Sequence, residues 1–144
     1  MKKIVFVCHG NICRSPASEY IIKSLINNDD EYDICSKATS YEEIGNDIYP
    51  PMKRVLDNHH ISYVRHYASH IEKKDIDEAD YIFYMDEENL YSLIRQYGHN
   101  DKYKPIWLYS SNINEIEDPW YTGRYEYVYQ QIYQCILDIL KNLR

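Results

Sequence analysis

The sequence "KKIVFVCHGNICRSP" at residues 2–16 combines a strand, a polar loop and the start of a helix. Residues 2–8 form an unbroken run of mostly aliphatic and aromatic side chains, which is typical of a strand buried on both faces of a parallel sheet. This run ends at Cys8, where the polar loop begins. After the loop, Ser15 is predicted to cap a helix that has Pro16 in its first position.

Strand and helix patterns alternate along the rest of the chain. Further buried strands are predicted at residues 32–38, 79–86 and 104–109. Apolar side chains at helical spacing predict helices after Ser15, at residues 49–59, at 87–97 with an end at Gly98, and from about residue 122 onward. This alternation predicts an α/β fold with a parallel sheet covered by helices on both sides. Such sheets bind ligands beyond the carboxyl ends of their strands, and Cys8 lies at one of those ends.

The composition is that of a soluble globular protein, with 144 residues, 44% hydrophobic residues and 27% charged residues. The formal net charge of −7 argues against a nucleic-acid partner. The apolar run near the N-terminus is too short for a signal peptide or a membrane span, so we expect a cytoplasmic protein without membrane contact. In that compartment the four cysteines are expected to be free thiols.

The loop after the first strand has the composition of an anion-binding site. Backbone N–H groups of a loop between a parallel strand and a helix point inward, where they form a nest for an anion. Gly10 allows a close approach to the anion, and Asn11 tolerates a left-handed backbone. The planar guanidinium of Arg14 suits two phosphate oxygens. A thiol at Cys8 would share the positive field of the loop, which favours the nucleophilic thiolate.

This loop differs from a nucleotide-binding P-loop, because it has no lysine and no G-x-x-x-x-G-K-[ST] pattern. The spacing Cys-x5-Arg followed by Ser-Pro instead resembles the signature of the low-molecular-weight protein tyrosine phosphatases. The resemblance continues in chain order through the segments "CSKATS" at 35–40, "ADYIFYMDEENL" at 79–90, "IEDPWYTG" at 116–123 and "VYQQIYQCI" at 128–136.

The family resemblance implies a flavodoxin-like three-layer sandwich with a four-stranded parallel sheet, and a single domain over residues 1–144. It also implies a two-step hydrolysis of phosphate monoesters that needs no metal or cofactor. In that reaction Cys8 would be the nucleophile and Arg14 the phosphate clamp. Asp118 would protonate the leaving phenol oxygen and then act as the base for water, a role that the chemistry itself requires.

The resemblance assigns the phosphate-binding loop and the residues that support it. The loop comprises His9, Gly10, Asn11, Ile12, Cys13, Arg14 and Ser15. Ser15 would donate a hydrogen bond to the thiolate, and Asn11 would hold the loop in a polar network with Ser36 and His66. Asp86 is predicted to cap a helix and to support the loop.

Four residues are predicted at the rim of a slot for the substrate ring: Tyr41, Glu42, Trp120 and Tyr121. Aromatic walls would enclose a phenyl ring and favour phosphotyrosine proteins or small aryl phosphates over phosphoserine. The family often has tryptophan or tyrosine at the position of Glu42, so the substrate preference stays open. His9 lies beside the nucleophile and would tune specificity.

Cys13 lies in the same loop as Cys8, and two interpretations are open. Cys13 could simply pack under the loop. The alternative is a resolving cysteine that captures an oxidised Cys8 as a disulfide and so protects it from irreversible oxidation. Many members of the family carry a cysteine at this place, which favours the second interpretation.

Three other functions compete with a phosphatase. An arsenate reductase on the same fold would need another redox cysteine after the third strand, and no cysteine lies between Cys35 and Cys135. A non-catalytic phosphotyrosine-binding module would be expected to lack Cys8 or Asp118. A flavin-binding protein would not need a cysteine and an arginine at these places. The oligomeric state is expected to be a monomer or a weak homo-oligomer.

Overall fold

A computed structural model describes residues 2–26 and 31–143. Its elements in chain order are β1 (Lys2–Cys8), α1 (Arg14–Ile26), β2 (Tyr32–Ala38), α2 (Pro50–Asn58), α3 (Lys73–Glu78), β3 (Tyr81–Tyr84), α4 (Glu87–Tyr97), β4 (Tyr103–Pro105), α5 (Pro119–Thr122) and α6 (Tyr125–Leu143). The strands alternate with helices, as the sequence pattern predicts.

The four strands form one parallel sheet in the order β2-β1-β3-β4. This order is flavodoxin-like and confirms the predicted fold class. Strand β1 lies inside the sheet, with Cys8 opposite Ala38 of β2 and Val7 opposite Tyr84 of β3. The loop that follows β1 therefore starts at the carboxyl edge, between the ends of two neighbouring strands.

Helices cover both faces of the sheet and produce three layers. Successive side chains of β1 point to opposite faces, so Ile4 and Phe6 belong to one core cluster while Val5 and Val7 belong to another. The first cluster includes side chains of α1, α2 and α6, and the second includes side chains of α3 and α4. Burial on both faces explains why β1 has a continuous apolar sequence without alternation.

The start of α1 differs from the prediction. The helix begins at Arg14, so Ser15 lies inside the first turn and does not act as its N-cap. The physical reason is that the Ser15 hydroxyl is engaged by the loop: Asn11 Nδ2 donates to it at 2.8 Å, and it lies 3.0 Å from Cys8 Sγ. Pro16 is the third residue of the helix, and the N–H of Ala17 bonds to the carbonyl of Cys13.

Two predicted strands are shorter than their apolar runs. The fourth strand was predicted at 104–109, but β4 is only Tyr103–Pro105, because the chain turns after the proline with a bond from the Leu108 N–H to the Pro105 carbonyl. Strand β3 ends at Tyr84, two residues before Asp86, which caps α4 by accepting the N–H of Asn89.

The sequence pattern did not predict the two short helices, α3 and α5. Helix α3 has a single buried side chain, Ile76, and therefore no apolar periodicity to detect. Helix α5 is a single turn that ends at Gly123 in a left-handed conformation, and for this reason α6 starts at residue 125 and not at 122. No helix in the two described ranges is long and apolar enough to cross a membrane.

Candidate active site

Cys8 ends β1 at the base of the loop, where its side chain is almost fully buried, with 3% of its surface exposed. The backbone N–H of Asn11 donates to Sγ at 3.3 Å, and Ser15 Oγ lies 3.0 Å from Sγ. Hydrogen-bond donors around a sulfur stabilise its thiolate form. The structure therefore places the predicted Ser15 contact directly on the predicted nucleophile.

Asn11 holds the loop together from its centre. Its backbone is left-handed, with φ of 60°. Its Nδ2 donates to Ser15 Oγ at 2.8 Å and to Ser36 Oγ at 3.0 Å, while its Oδ1 accepts the N–H of Ser69 at 3.1 Å. His66 Nε2 lies 2.7 Å from the Asn11 carbonyl oxygen. The four partners lie on three separate segments, and together they offset the strain of the positive φ.

Two buried or partly buried carboxylates that the sequence motifs do not predict, Glu19 and Asp47, support this network. Ser36 Oγ donates to Glu19 Oε1 at 2.7 Å, and Asp47 Oδ1 accepts the N–H of His66 at 2.9 Å. Partial burial opposes ionisation of Asp47, but hydrogen bonds, led by that from Lys53, lower its pKa to about 2. Glu19 could have been found from the sequence, because a carboxylate within the apolar stretch of α1 needs a polar partner when it is buried.

Arg14 is 2% exposed and is held by three oxygen-bearing groups. Its Nη1 donates to Asp86 Oδ2 at 2.7 Å and to the carbonyl oxygen of Ile116 at 2.9 Å, while Nη2 lies 3.5 Å from Asp118 Oδ2. Burial disfavours the charged guanidinium, but the negative charges of Cys8, Asp86 and Asp118 outweigh it and raise the pKa of Arg14. Arg14 is therefore a fixed cation.

Asp118 is the N-cap of the short helix α5. Its Oδ1 accepts the N–H of Trp120 at 3.0 Å, which fixes the carboxylate beside Arg14. Its side chain is 28% exposed, so a ligand and water can reach it. On the other side, an ion pair between Glu117 and Arg124 holds the segment before the helix.

These groups surround one cavity of about 150 Å³. The residues that line it are Cys8, His9, Gly10, Ile12, Cys13, Arg14, Glu42, Glu43, Asp118, Trp120 and Tyr121. A thiol, a fixed cation and a carboxylate thus meet in one space, although about a hundred residues separate the first from the last in the chain. Such a set can bind a phosphate, attack its phosphorus and supply a proton.

Of the four residues predicted at the rim, Glu42, Trp120 and Tyr121 line the cavity. Glu42 Oε2 lies 2.7 Å from His9 Nε2, and Trp120 packs on Tyr49 with 5.0 Å between ring centroids. Tyr41 was predicted at the rim, but it does not line the cavity. Its ring turns away and stacks on His70, because the imidazole offers a flat surface at contact distance.

Glu43 lines the cavity although the sequence analysis did not single it out. It packs against the backbone of the loop at Gly10, where an added Cβ would lie 3.3 Å from the Glu43 Cγ. The glycine therefore allows the rim to approach the phosphate-binding loop closely.

Comparison with known proteins identifies the family. Residues 3–144 match the family described as low molecular weight phosphotyrosine protein phosphatase. The chain belongs to this family. It is 39% identical over 146 residues to the low molecular weight phosphotyrosine protein phosphatase of Mus musculus. The matched region covers 93% of this chain and 90% of the relative. These relatives are phosphatases, and the prediction of a phosphatase enzyme is confirmed.

Solved structures support the same assignment. The low molecular weight protein tyrosine phosphatase SP-PTP from Streptococcus pyogenes superposes with a TM-score of 0.92 at 35% identity, covering 100% of this chain and 94% of that chain. YfkJ from Bacillus subtilis gives a TM-score of 0.94 at 31% identity, covering 99% and 94%. The fold of the low molecular weight phosphatase family therefore extends over essentially the whole chain, including the segments that carry Cys8, Arg14 and Asp118.

Proposed function

We propose that the protein is a protein tyrosine phosphatase that hydrolyses phosphotyrosine and aryl phosphate monoesters through a cysteinyl-phosphate intermediate. The observation that carries the proposal is the cavity in which Cys8, Arg14 and Asp118 meet. Membership in the phosphatase family supports the reaction class, and the geometry supports the residue roles.

In the first step, the thiolate of Cys8 attacks phosphorus, so that an S–P bond forms as the bond from phosphorus to the phenol oxygen breaks. Arg14 and the backbone N–H groups of the loop stabilise the charge on the phosphoryl oxygens. Asp118, in its protonated form, transfers its proton to the departing phenol oxygen. The products of this step are a free phenol and a phosphorylated Cys8.

In the second step, water attacks the phosphorus of the intermediate. Asp118 is now a carboxylate and accepts a proton from that water, while the S–P bond breaks and returns the Cys8 thiolate. Inorganic phosphate leaves the cavity. Ser15, 3.0 Å from Sγ, stabilises the thiolate as the leaving group.

Hydrolysis of a panel of phosphopeptides tests this proposal. We expect turnover of phosphotyrosine peptides and of an aryl phosphate, with at most slow turnover of phosphoserine and phosphoarginine peptides, because Trp120 and Tyr121 line the mouth of the cavity. Reduction of arsenate by a thiol is measured in parallel. Arsenate reduction without hydrolysis of phosphotyrosine would overturn the proposal in favour of a reductase.

Substitution Asp118→Asn should lower kcat by about 10²–10⁴-fold for an aryl phosphate with a poor leaving group. A very acidic phenol leaves without full protonation, so the decrease in kcat for its phosphate ester should be much smaller. The measurement is kcat for a series of aryl phosphates, with Asp101→Asn as the control, since Asp101 is an exposed carboxylate before β4. Equal losses across the series would mean that Asp118 only positions the loop.

We also propose that Cys13 acts as a resolving cysteine. It is a free, buried thiol that lines the same cavity as Cys8. Burial, and after it the negative charge of Cys8, raises the pKa of Cys13 far above its ordinary value. Peroxide oxidises Cys8 to the sulfenic acid, and the sulfur of Cys13 then attacks that of Cys8, so that the disulfide forms as water leaves.

Treatment with peroxide followed by dithiothreitol tests the role of Cys13. Wild-type protein should recover most of its initial activity and should contain a Cys8–Cys13 disulfide before reduction, as detected by mass spectrometry. Cys13→Ser should recover several-fold less of its own initial activity, because Cys8 then proceeds to irreversible oxidation. Cys35→Ser, which removes a half-buried thiol outside the loop, should recover like wild type. Equal recovery in all three proteins would assign Cys13 to packing.

We propose a cytoplasmic location and a monomeric or weakly associating protein. In this reducing compartment the four cysteines, Cys8, Cys13, Cys35 and Cys135, are expected to be free thiols. The expected substrates are phosphotyrosine proteins or small aryl phosphates, and the net charge of −7 disfavours a nucleic acid.

A further inference from the structure

Residues 39–45 form one side of the cavity mouth. This rim loop follows β2 and contributes Glu42 and Glu43 to the cavity lining. The position of these two carboxylates relative to the bound substrate therefore depends on how the rim loop is attached to the rest of the protein.

Backbone bonds attach both ends of the rim loop. At its start, the N–H of Thr39 bonds to the Cys8 carbonyl at 2.9 Å, and the N–H of Ser40 bonds to the His9 carbonyl at 3.1 Å. At its end, the N–H of Gly45 bonds to the carbonyl of Ala68 at 2.8 Å. The part between Ser40 and Gly45 has no comparable backbone bond to another segment in the described residues.

Two side chains attach the middle of the rim loop: Glu42, whose Oε2 lies 2.7 Å from His9 Nε2, and Tyr41, which stacks on His70. Its ring lies parallel to that of His70, with 3.9 Å between centroids and 5° between planes. Tyr41 is 67% exposed, whereas the His70 side chain is 2% exposed. His70 is itself fixed, because it pairs with Ala38 at the end of β2.

The environment of His70 shows that the stack is its principal interaction. Neither ring nitrogen makes a hydrogen bond within the described part of the chain. The nearest charged group is Glu72, whose Oε1 lies 3.6 Å from Nδ1. An imidazole buried in this way has a desolvation cost, and Tyr41 covers one face of the ring.

We propose that Tyr41 is a positioning residue for substrate binding, whose stack on His70 holds Glu42 and Glu43 at the mouth of the cavity. This inference rests on the proposed phosphatase activity. Loss of the stack would leave the middle of the rim loop with the solvent-exposed pair of Glu42 and His9, and would leave the backbone hydrogen bonds of Thr39 and Ser40 in place. The phosphate-binding loop would therefore stay intact while Glu42 and Glu43 of the rim loop lose their positions.

The test compares Tyr41→Ala with Tyr41→Phe, which keeps the stacked ring. Tyr41→Ala should raise KM for a phosphotyrosine peptide by about threefold to tenfold, a change typical of one aromatic pair. Its kcat and the inhibition constant of inorganic phosphate should stay within about twofold of wild type, because Tyr41 takes no part in the hydrogen bonds by which Asn11 holds the phosphate-binding loop. Tyr41→Phe should match wild type in all three quantities.

A double-mutant cycle with His70→Leu shows whether the effect passes through the stack. His70→Leu keeps most of the buried volume and removes the ring, so it should raise KM as Tyr41→Ala does. The double variant should show no further increase. An unchanged KM in Tyr41→Ala, a parallel rise in the phosphate inhibition constant, or additive effects would each overturn the inference. Wild-type turnover of the peptide tests the proposed function separately.

Discussion

Substitution Cys8→Ser should lower turnover of an aryl phosphate by at least about 10⁴-fold while the protein still folds and binds inorganic phosphate. The reason lies in the surroundings of Sγ. Its hydrogen-bonding partners are the N–H of Asn11 and the hydroxyl of Ser15, and neither is a base. A cysteine thiolate needs no such base, but a serine hydroxyl at the same place stays protonated and is a poor nucleophile.

Turnover is measured with an aryl phosphate, and phosphate binding with isothermal titration calorimetry. Cys35→Ser is the matched control, because it removes a thiol from β2 without touching the loop. Activity of Cys8→Ser within about tenfold of wild type would contradict the role of Cys8 as nucleophile. Loss of phosphate binding in the same variant would show that the Cys8 sulfur is also needed for the conformation of the phosphate-binding loop.

Substitution Arg14→Lys should lower kcat/KM by about 10²–10³-fold, although it retains the positive charge. In the structure one guanidinium nitrogen holds both Asp86 and the Ile116 carbonyl, and the other lies near Asp118. A lysine ammonium on a single flexible stem cannot reproduce this planar arrangement and also contact two phosphate oxygens. We expect a raised inhibition constant for inorganic phosphate as well.

Arg54→Lys is the control for an arginine change elsewhere, since Arg54 is exposed on α2. A melting curve of Arg14→Lys separates loss of catalysis from loss of the fold, because Arg14 also joins α1 to the segment before Asp118. Near-normal kinetics in Arg14→Lys would show that the positive charge alone suffices and that the planar shape of the guanidinium has no role.

The phosphate-binding loop could be predicted from sequence because its information is local. Within residues 8–15 the order of residue types follows the chemistry of an anion nest. Strand β1 is recognised by its continuous apolar run, which reflects burial on both faces. Asp118 could be placed only by resemblance, since an Asp-Pro pair by itself is common in turns. Its place beside Arg14 is a property of the fold.

Other features of the site depend on contacts between distant segments and could not be predicted in this way. Tyr41 precedes the cavity residue Glu42 in the sequence, but its ring stacks on His70, which lies on another segment. Asp47 belongs to the site only because it fixes the backbone of His66. The strand β4 is short because Pro105 and the turn after it end the pairing, although the apolar run continues.

The first strand of the chain lies in the interior of the sheet, and this has a consequence for the order of folding. During synthesis Cys8 is made before the strands at 32–38 and 81–84 with which β1 pairs, and Arg14 is made before Ile116, whose carbonyl accepts its hydrogen bond. We therefore expect nascent chains that stop short of residue 116 to carry a complete loop sequence without activity. The nucleophile is therefore synthesised well before the distant residues that complete its site.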